Sequence, residues 1–288
     1  MKFGRITATA IAAVAAAGLA ACGSGNSGGS SGAAPGASGG ASGGAAGGGE
    51  SVKVGIKFDQ PGLGLKQGSD YTGMDVDVAN YIAKELGFTP QFVEAVSSQR
   101  ETLISSGQVK YIVGTYSITD TRKEKVSFAG PYFIAGQDLL VRADDSSITG
   151  KDSLNGKKLC SVKGSTSASN IKKDVPGVNL QEYNTYTLCV DALKAGSVDA
   201  LTTDDTILAG YAAQDANKGK LKVVGKTFST ENYGVGLKKG DTAFCTKVSD
   251  ALKKYISSGE WQKSVDKYLG PAGFKPGKGN PPTPAACS

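Results

Sequence analysis

Short apolar stretches alternate with amphipathic ones along most of this chain. Val52-Lys53-Val54-Gly55-Ile56 reads as a strand. Residues 75–87 predict a helix, with Val78, Ile82 and Leu86 on one stripe, Ala79 and Ala83 beside it, and Gly87 as a stop. Residues 88–93 then predict a strand, 99–106 a helix and 111–115 a strand. The same alternation resumes with a strand over 158–162, a helix from about Thr166, a strand over 178–183, a helix over 187–195 and a strand over 199–202. These are two βαβ-type units. Between them, residues 132–142 form an extended run without a helix, and Tyr233-Gly234-Val235-Gly236-Leu237 is extended late in the chain. Right-handed crossovers of this kind build parallel sheets with helices on both faces. The predicted fold is therefore α/β, with two βαβ lobes joined by two hinge strands around a ligand cleft. Residues 50–133 and 234–288 would form the first lobe with its C-terminal tail, and residues 138–229 the second. Hinges are expected at residues 134–137 and 230–233.

Ahead of this body lies a segment of different character. Lys2 and Arg5 give a positive leader, residues 6–19 are apolar but short for a membrane span, and Leu19-Ala20-Ala21-Cys22 places small residues before a lone cysteine. That pattern predicts a lipoprotein signal over residues 1–21, cleaved so that Cys22 becomes the acylated first residue and anchors the protein on the extracellular face of the cell membrane. Residues 23–49 contain only Gly, Ser, Ala, one Asn and one Pro. They lack the side chains needed to offset the entropy of ordering, so residues 22–49 are expected to be a disordered leash. A Gly-rich coil of that length spans about 30 Å end to end.

Charge and cysteine content narrow the partners. The chain of 288 residues carries a net +6, which becomes +4 once Lys2 and Arg5 are removed. No basic cluster dense enough for nucleic acid occurs. With Cys22 assigned to lipid, Cys160, Cys189, Cys245 and Cys287 remain, which permits three pairings. Cys160 lies in a predicted strand and Cys189 in a nearby predicted helix, so the favoured connectivity joins these two and uses Cys245 with Cys287 to pin the Pro-rich tail. The chain has no histidine at all, which removes His-based triads and zinc-protease motifs. Gly234-Val235-Gly236 is followed by Lys239 where a dinucleotide fingerprint needs glycine. The residues thus predict no catalytic centre, no metal site and no cofactor.

Small molecules bind such folds at the carboxyl ends of strands. After the strand at 111–115 come Tyr116-Ser117-Ile118-Thr119-Asp120-Thr121-Arg122, a set of hydroxyls and an arginine whose planar fork suits a carboxylate. After the strand at 158–162 come Lys163-Gly164-Ser165-Thr166, a glycine turn into a helix start whose free N–H groups suit an anion. After the strand at 199–202 come Asp204-Asp205, suited to a cation, with a helix-capping role for Asp204 as the alternative. Together these groups specify a zwitterion.

At these residues the chain resembles the extracellular solute-binding proteins of family 3, which deliver polar amino acids to ABC importers and have the periplasmic-binding-protein fold. The resemblance runs from about residue 51 to 270, and glutamate-binding lipoproteins are the most similar members. The family's Gly-x-Asp-x-Asp stands here as Gly73-Met74-Asp75-Val76-Asp77, a structural motif in which Asp75 is expected to cap the helix. The resemblance implies that Arg122 grips the ligand α-carboxylate with Ser117 and Thr166, while Asp204 and the Thr115 carbonyl take the α-ammonium. Lys57 and Arg100 would face a side-chain carboxylate, with Gln60, Ser165 and Tyr186 as neighbours. It further implies closure of the lobes on the amino acid, then docking of a monomer on a membrane permease with its ATPase. L-glutamate is the expected ligand. Aspartate, glutamine or asparagine, a purely sensory role, and a dehydratase of the same fold are the alternatives. The chain departs from the family pattern at Gly107-Gln108-Val109-Lys110, where an aspartate is usual.

Overall fold

In the computed structural model, which describes residues 49–288, strand β1 (Glu50–Ile56) ends in three consecutive buried residues. Central strands covered on both faces read that way. Next come β2 (Asp59–Gln60), β3 (Gly64–Gln67) and β4 (Asp70–Thr72), then α1 (Met74–Leu86), β5 (Phe88–Glu94), α2 (Arg100–Ser105), β6 (Tyr111–Ile112), α3 (Asp120–Lys123) and β7 (Val126–Ala135). Beyond Gly136 lie β8 (Gln137–Arg142), β9 (Lys158–Val162), α4 (Thr166–Asp174), β10 (Asn179–Tyr183), α5 (Tyr186–Lys194), β11 (Ala200–Asp204), α6 (Asp205–Ala213) and β12 (Leu221–Val223). The chain returns through β13 (Glu231–Lys238) to α7 (Thr242–Ser257) and α8 (Glu260–Tyr268). The leader at 1–21, Cys22 and the linker up to residue 48 lie outside the described residues. Among those described, no helix is long and apolar enough to cross a membrane.

One sheet has the order β5-β1-β6-β13-β7 and another β10-β9-β11-β8-β12, with β2, β3 and β4 forming a small third one. The crossover strands β5, β1 and β6 are parallel, as are β10, β9 and β11. Strand β13 runs antiparallel to β6 and β7, and β8 antiparallel to β11 and β12. Both large sheets are therefore mixed, not parallel throughout. The reason is that β8 and β13 begin at the junction of the lobes, where the βαβ strands end: Gln137 pairs with Asp204, and Glu231 with Ala135.

Two expected strands change shape. The extended run over 132–142 divides at Gly136 between different sheets; a Cβ there would lie 2.8 Å from Cβ of Thr227, so the junction is built around a residue without a side chain. The strand expected over 111–115 stops at Ile112, because Thr115 turns the chain with a φ of 43°.

Helix α1 buries Val78, Ala79, Ile82 and Ala83 against the first sheet and α7, which supplies Val248 and Leu252. Each fully buried aliphatic side chain contributes on the order of 1.5–3 kcal/mol. In the second lobe Leu139, Val141, Leu159 and Ala200 pack with Ile171 of α4. Cys160 of β9 is bonded to Cys189 of α5, with Cα atoms 5.6 Å apart, and Cys245 of α7 to Cys287, at 6.0 Å. The tail also lies on β7, where Ala285 N–H donates to the Gly130 carbonyl at 2.8 Å and Phe128 N–H to that of Ser288 at 2.8 Å.

Candidate functional site

The segments that follow β1, β5 and β6 bring three cations to the first-lobe side of the junction. Lys57 is 2% exposed and donates from Nζ to Ser97 Oγ at 3.0 Å. Arg100 opens α2, is 2% exposed, and donates from Nη1 to the carbonyls of Gly114 and Thr115 at 3.0 and 3.4 Å. Arg122 of α3 donates from Nη1 to the Ser117 carbonyl at 2.8 Å and pairs through Nε with Glu101 at 3.4 Å. Thr119 caps that short helix, its Oγ1 accepting from Arg122 N–H at 3.3 Å. Among the described residues, neither Lys57 nor Arg100 has a carboxylate within 4.0 Å. Burial, aided by Arg100 and opposed by Asp59, brings the Lys57 ammonium down to about 8. Burial and Arg100 bring Arg122 down to about 10.

Asp75 is not the cap of α1. The cap position of that helix is Gly73, without a side-chain cap bond, and Asp75 is the second helical residue, in the first turn and fully buried. Its carboxylate accepts from Thr115 N–H at 2.9 Å and from the Tyr132 hydroxyl at 2.6 Å, so it holds the turn after β6 in place. Spacing could have shown this: Asp75 falls three and four residues before Val78 and Ala79, on the buried face. Gln60 supports the same turn by accepting from Thr115 Oγ1 at 3.2 Å, and its Nε2 is buried without a partner among the described residues.

The second lobe meets this arrangement through several groups. Ser165 caps α4, accepting from Ala168 N–H at 3.0 Å, and leaves Thr166 as the first helical residue, with its hydroxyl 3.2 Å from that of Ser117. Arg122 Nη2 donates to the Gly164 carbonyl at 3.1 Å. Tyr186, buried at the start of α5, donates its N–H to Asp59 Oδ2 at 2.8 Å. Asp204 closes β11 and stands where α6 begins, but its side chain makes no cap bond. It accepts from the Tyr233 hydroxyl at 2.7 Å and from Ser167 Oγ at 3.4 Å. Burial and the charge of Glu231 push the Asp204 carboxyl up to about 8.

The residues singled out from the sequence thus meet in one buried polar layer. Arg122, Ser117 and Thr166 form one connected group, and Arg100, Thr115 and Gln60 another. Asp204 joins them through Tyr233, whose backbone pairs with Ser117. Sequence reasoning gave Asp59 no role and read Glu231 and Tyr233 only as part of the hinge expected over 230–233. Their roles depend on contacts made across the junction, which leave no local pattern.

Two α/β lobes that each supply polar groups to a shared buried layer define a hinged, two-lobed solute-binding protein. The chain belongs to the bacterial extracellular solute-binding proteins of family 3, whose profile matches residues 52–271. It is 48% identical over 234 residues to the glutamate-binding protein GluB of Corynebacterium glutamicum, covering 76% of this chain and 79% of that protein. It is 36% identical over 225 residues to the ABC transporter glutamine-binding protein GlnH of Bacillus subtilis, covering 76% and 81%. Among solved structures, an ancestral arginine-binding protein bound to glutamine matches with a TM-score of 0.72 at 33% identity, covering 76% of this chain and 98% of that one.

Proposed function

We propose that this chain is the amino-acid receptor of an ABC importer and that its ligand is L-glutamate. The observation that carries the reading is the placement of Lys57, Arg100 and Arg122 on one lobe, all buried, facing the lobe that holds Asp204. Burying cations together is costly unless an anion joins them. A ligand with two carboxylates and one ammonium supplies two anionic ends for the arginines and lysine and one cation for Asp204. Arg122, Ser117 and Thr166 take the α-carboxylate, Asp204 and the Thr115 carbonyl the ammonium, and Arg100 and Lys57 the side-chain carboxylate. Gln60, Ser165 and Tyr186 shape the surroundings. The similarity to a glutamate-binding protein supports the same ligand.

Because the two lobes hold different parts of this set, the ligand completes its contacts only when they close, and it stabilises closure by its differential affinity for that form. Residues 134–137 and 230–233 serve as hinges. The closed monomer then delivers its cargo to a permease driven by a separate ATPase, with no chemical step of its own. Cys22 carries the lipid that keeps the receptor at the membrane; a clickable fatty acid should label the chain in cells, and Cys22→Ala should remove the label.

Calorimetric titration of the purified chain with the common amino acids tests the ligand assignment. Glutamate is expected to bind most tightly. Preference for a cationic or uncharged amino acid would defeat the roles given to Lys57 and Arg100.

A further inference from the structure

The two arginines of the first lobe are tied to one short stretch of chain. Arg100 Nη1 holds the carbonyls of Gly114 and Thr115 at 3.0 and 3.4 Å, and Arg122 Nη1 holds that of Ser117 at 2.8 Å. The residue between these acceptors is Tyr116. Its ring centroid lies 4.1 Å from the guanidinium carbon of Arg100 and 5.0 Å from that of Arg122.

That ring has no freedom to swing away. It is fully buried and packs in a T-shaped contact on Phe128, with centroids 4.9 Å apart. Gly236 of β13 makes room for it, since a Cβ there would fall 2.6 Å from Tyr116 Cε1. The backbone beside it is equally held. Among the described residues Thr115 is the one non-glycine with positive φ, at 43°. Such a conformation is strained and persists only where its surroundings over-determine it. Here Asp75 and Gln60 do so, through the Thr115 N–H and hydroxyl.

We propose that Tyr116 is a specificity-determining spacer, whose ring fixes the separation of Arg100 and Arg122 and so the distance between the two carboxylates the site accepts. This rests on the reading that Arg122 takes the α-carboxylate and Arg100 the side-chain one. Two guanidinium ions in a buried layer repel, and each is attracted by the quadrupole of an aromatic ring. One ring shared by both opposes their repulsion and sets their positions. Glutamate and aspartate differ by a methylene, which an apolar pocket discriminates by only about 10- to 200-fold. Two charge-assisted forks at a fixed spacing read the length of a dicarboxylate directly.

The test is titration of the wild-type chain, Tyr116→Phe and Tyr116→Leu with glutamate, aspartate and the one-carbon-longer 2-aminoadipate. Tyr116→Phe keeps the ring and should leave the aspartate-to-glutamate ratio of Kd within about twofold. Tyr116→Leu should weaken glutamate about tenfold or more and lower that ratio about fivefold, because the arginines are no longer held apart. If Tyr116 only fills the core, all three ligands weaken by one factor, and an unmoved ratio overturns the spacer. Should Tyr116→Leu fail to fold, pentafluorophenylalanine at 116 is compared with Tyr116→Phe. The shape is similar and the ring quadrupole reversed, so the ratio should shift, and equal ratios would again overturn the spacer. A wild-type chain that prefers an uncharged amino acid overturns the glutamate reading and the spacer with it; a glutamate-preferring wild type with unmoved ratios overturns the spacer alone.

Discussion

The hydroxyl of Tyr233, on the strand returning to the first lobe, donates to Asp204 of the second at 2.7 Å, and both residues are buried. Two hydroxyls thus face this acid, and no cation pairs with it among the described residues. Its carboxyl is pushed up to about 8 from an ordinary 3.8. Between those values the native chain keeps a proton that the unfolded chain has released, so this group lowers stability as pH rises across the interval. Asp204→Asn should therefore flatten the fall in Tm between about pH 4 and 8. A bound ammonium would ionise Asp204, so titration near pH 7 should release close to one proton, read from the dependence of binding enthalpy on buffer, and Asp204→Asn should abolish that release.

Arg122 is held on its own lobe by Ser117 and Glu101 and reaches the second lobe through the Gly164 carbonyl. Charge-assisted hydrogen bonds are worth about 1.5–3 kcal/mol each, so Arg122→Ala should weaken glutamate by about a hundredfold or more. Arg122→Lys keeps the charge without the fork and should recover only part of the loss. Titration calorimetry measures both, with circular dichroism as the folding control.

Asp59 accepts the Tyr186 N–H at 2.8 Å, and the Tyr211 hydroxyl donates to its carbonyl, two links between the lobes that use none of the charged groups assigned to the ligand. Asp59→Ala should shift the population toward the open form and weaken every bound amino acid by one common factor of about three to ten, leaving selectivity unchanged. Gly210→Ala should act more strongly, since its Cβ would lie 2.1 Å from the Pro61 carbonyl oxygen. Small-angle scattering with and without ligand reports the opening. A change in selectivity would show that Asp59 shapes the pocket instead.

The two disulfides close loops with sequence separations of 29 and 42. Chain-entropy arguments assign each about 4 kcal/mol. Replacing either pair by serine should lower the urea midpoint, and the Cys245–Cys287 pair should cost slightly more. Chemical denaturation of the oxidised chain and the two variants checks the order.

The elements most legible in the sequence are those that bury one face against a sheet. Helix α1 shows its stripe through Val78, Ile82 and Leu86, and strand β9 appears with the expected bounds. Strands β2, β3 and β4 are too short to carry a period and pair with one another, so no pattern announces them. The strand over 111–115 reads as continuous because valine and threonine favour extended chain, yet Asp75, forty residues away, pulls Thr115 into a turn. In the site, Arg122, Thr166 and Asp204 were legible because each follows a strand in a chemically suited run. Asp59 and Tyr233 were not: their partners stand 127 and 29 residues away along the chain.

The tail held by Cys287 occupies the outer side of β7, the last strand of its sheet, where Ala285 and Ser288 take up the main-chain groups of Gly130 and Phe128. An open β edge is a template for pairing with a neighbouring molecule. Breaking the Cys245–Cys287 bond therefore does more than loosen one terminus. The expected result of reduction is a freed sticky margin and self-association of the molecule, which light scattering of the reduced chain would register.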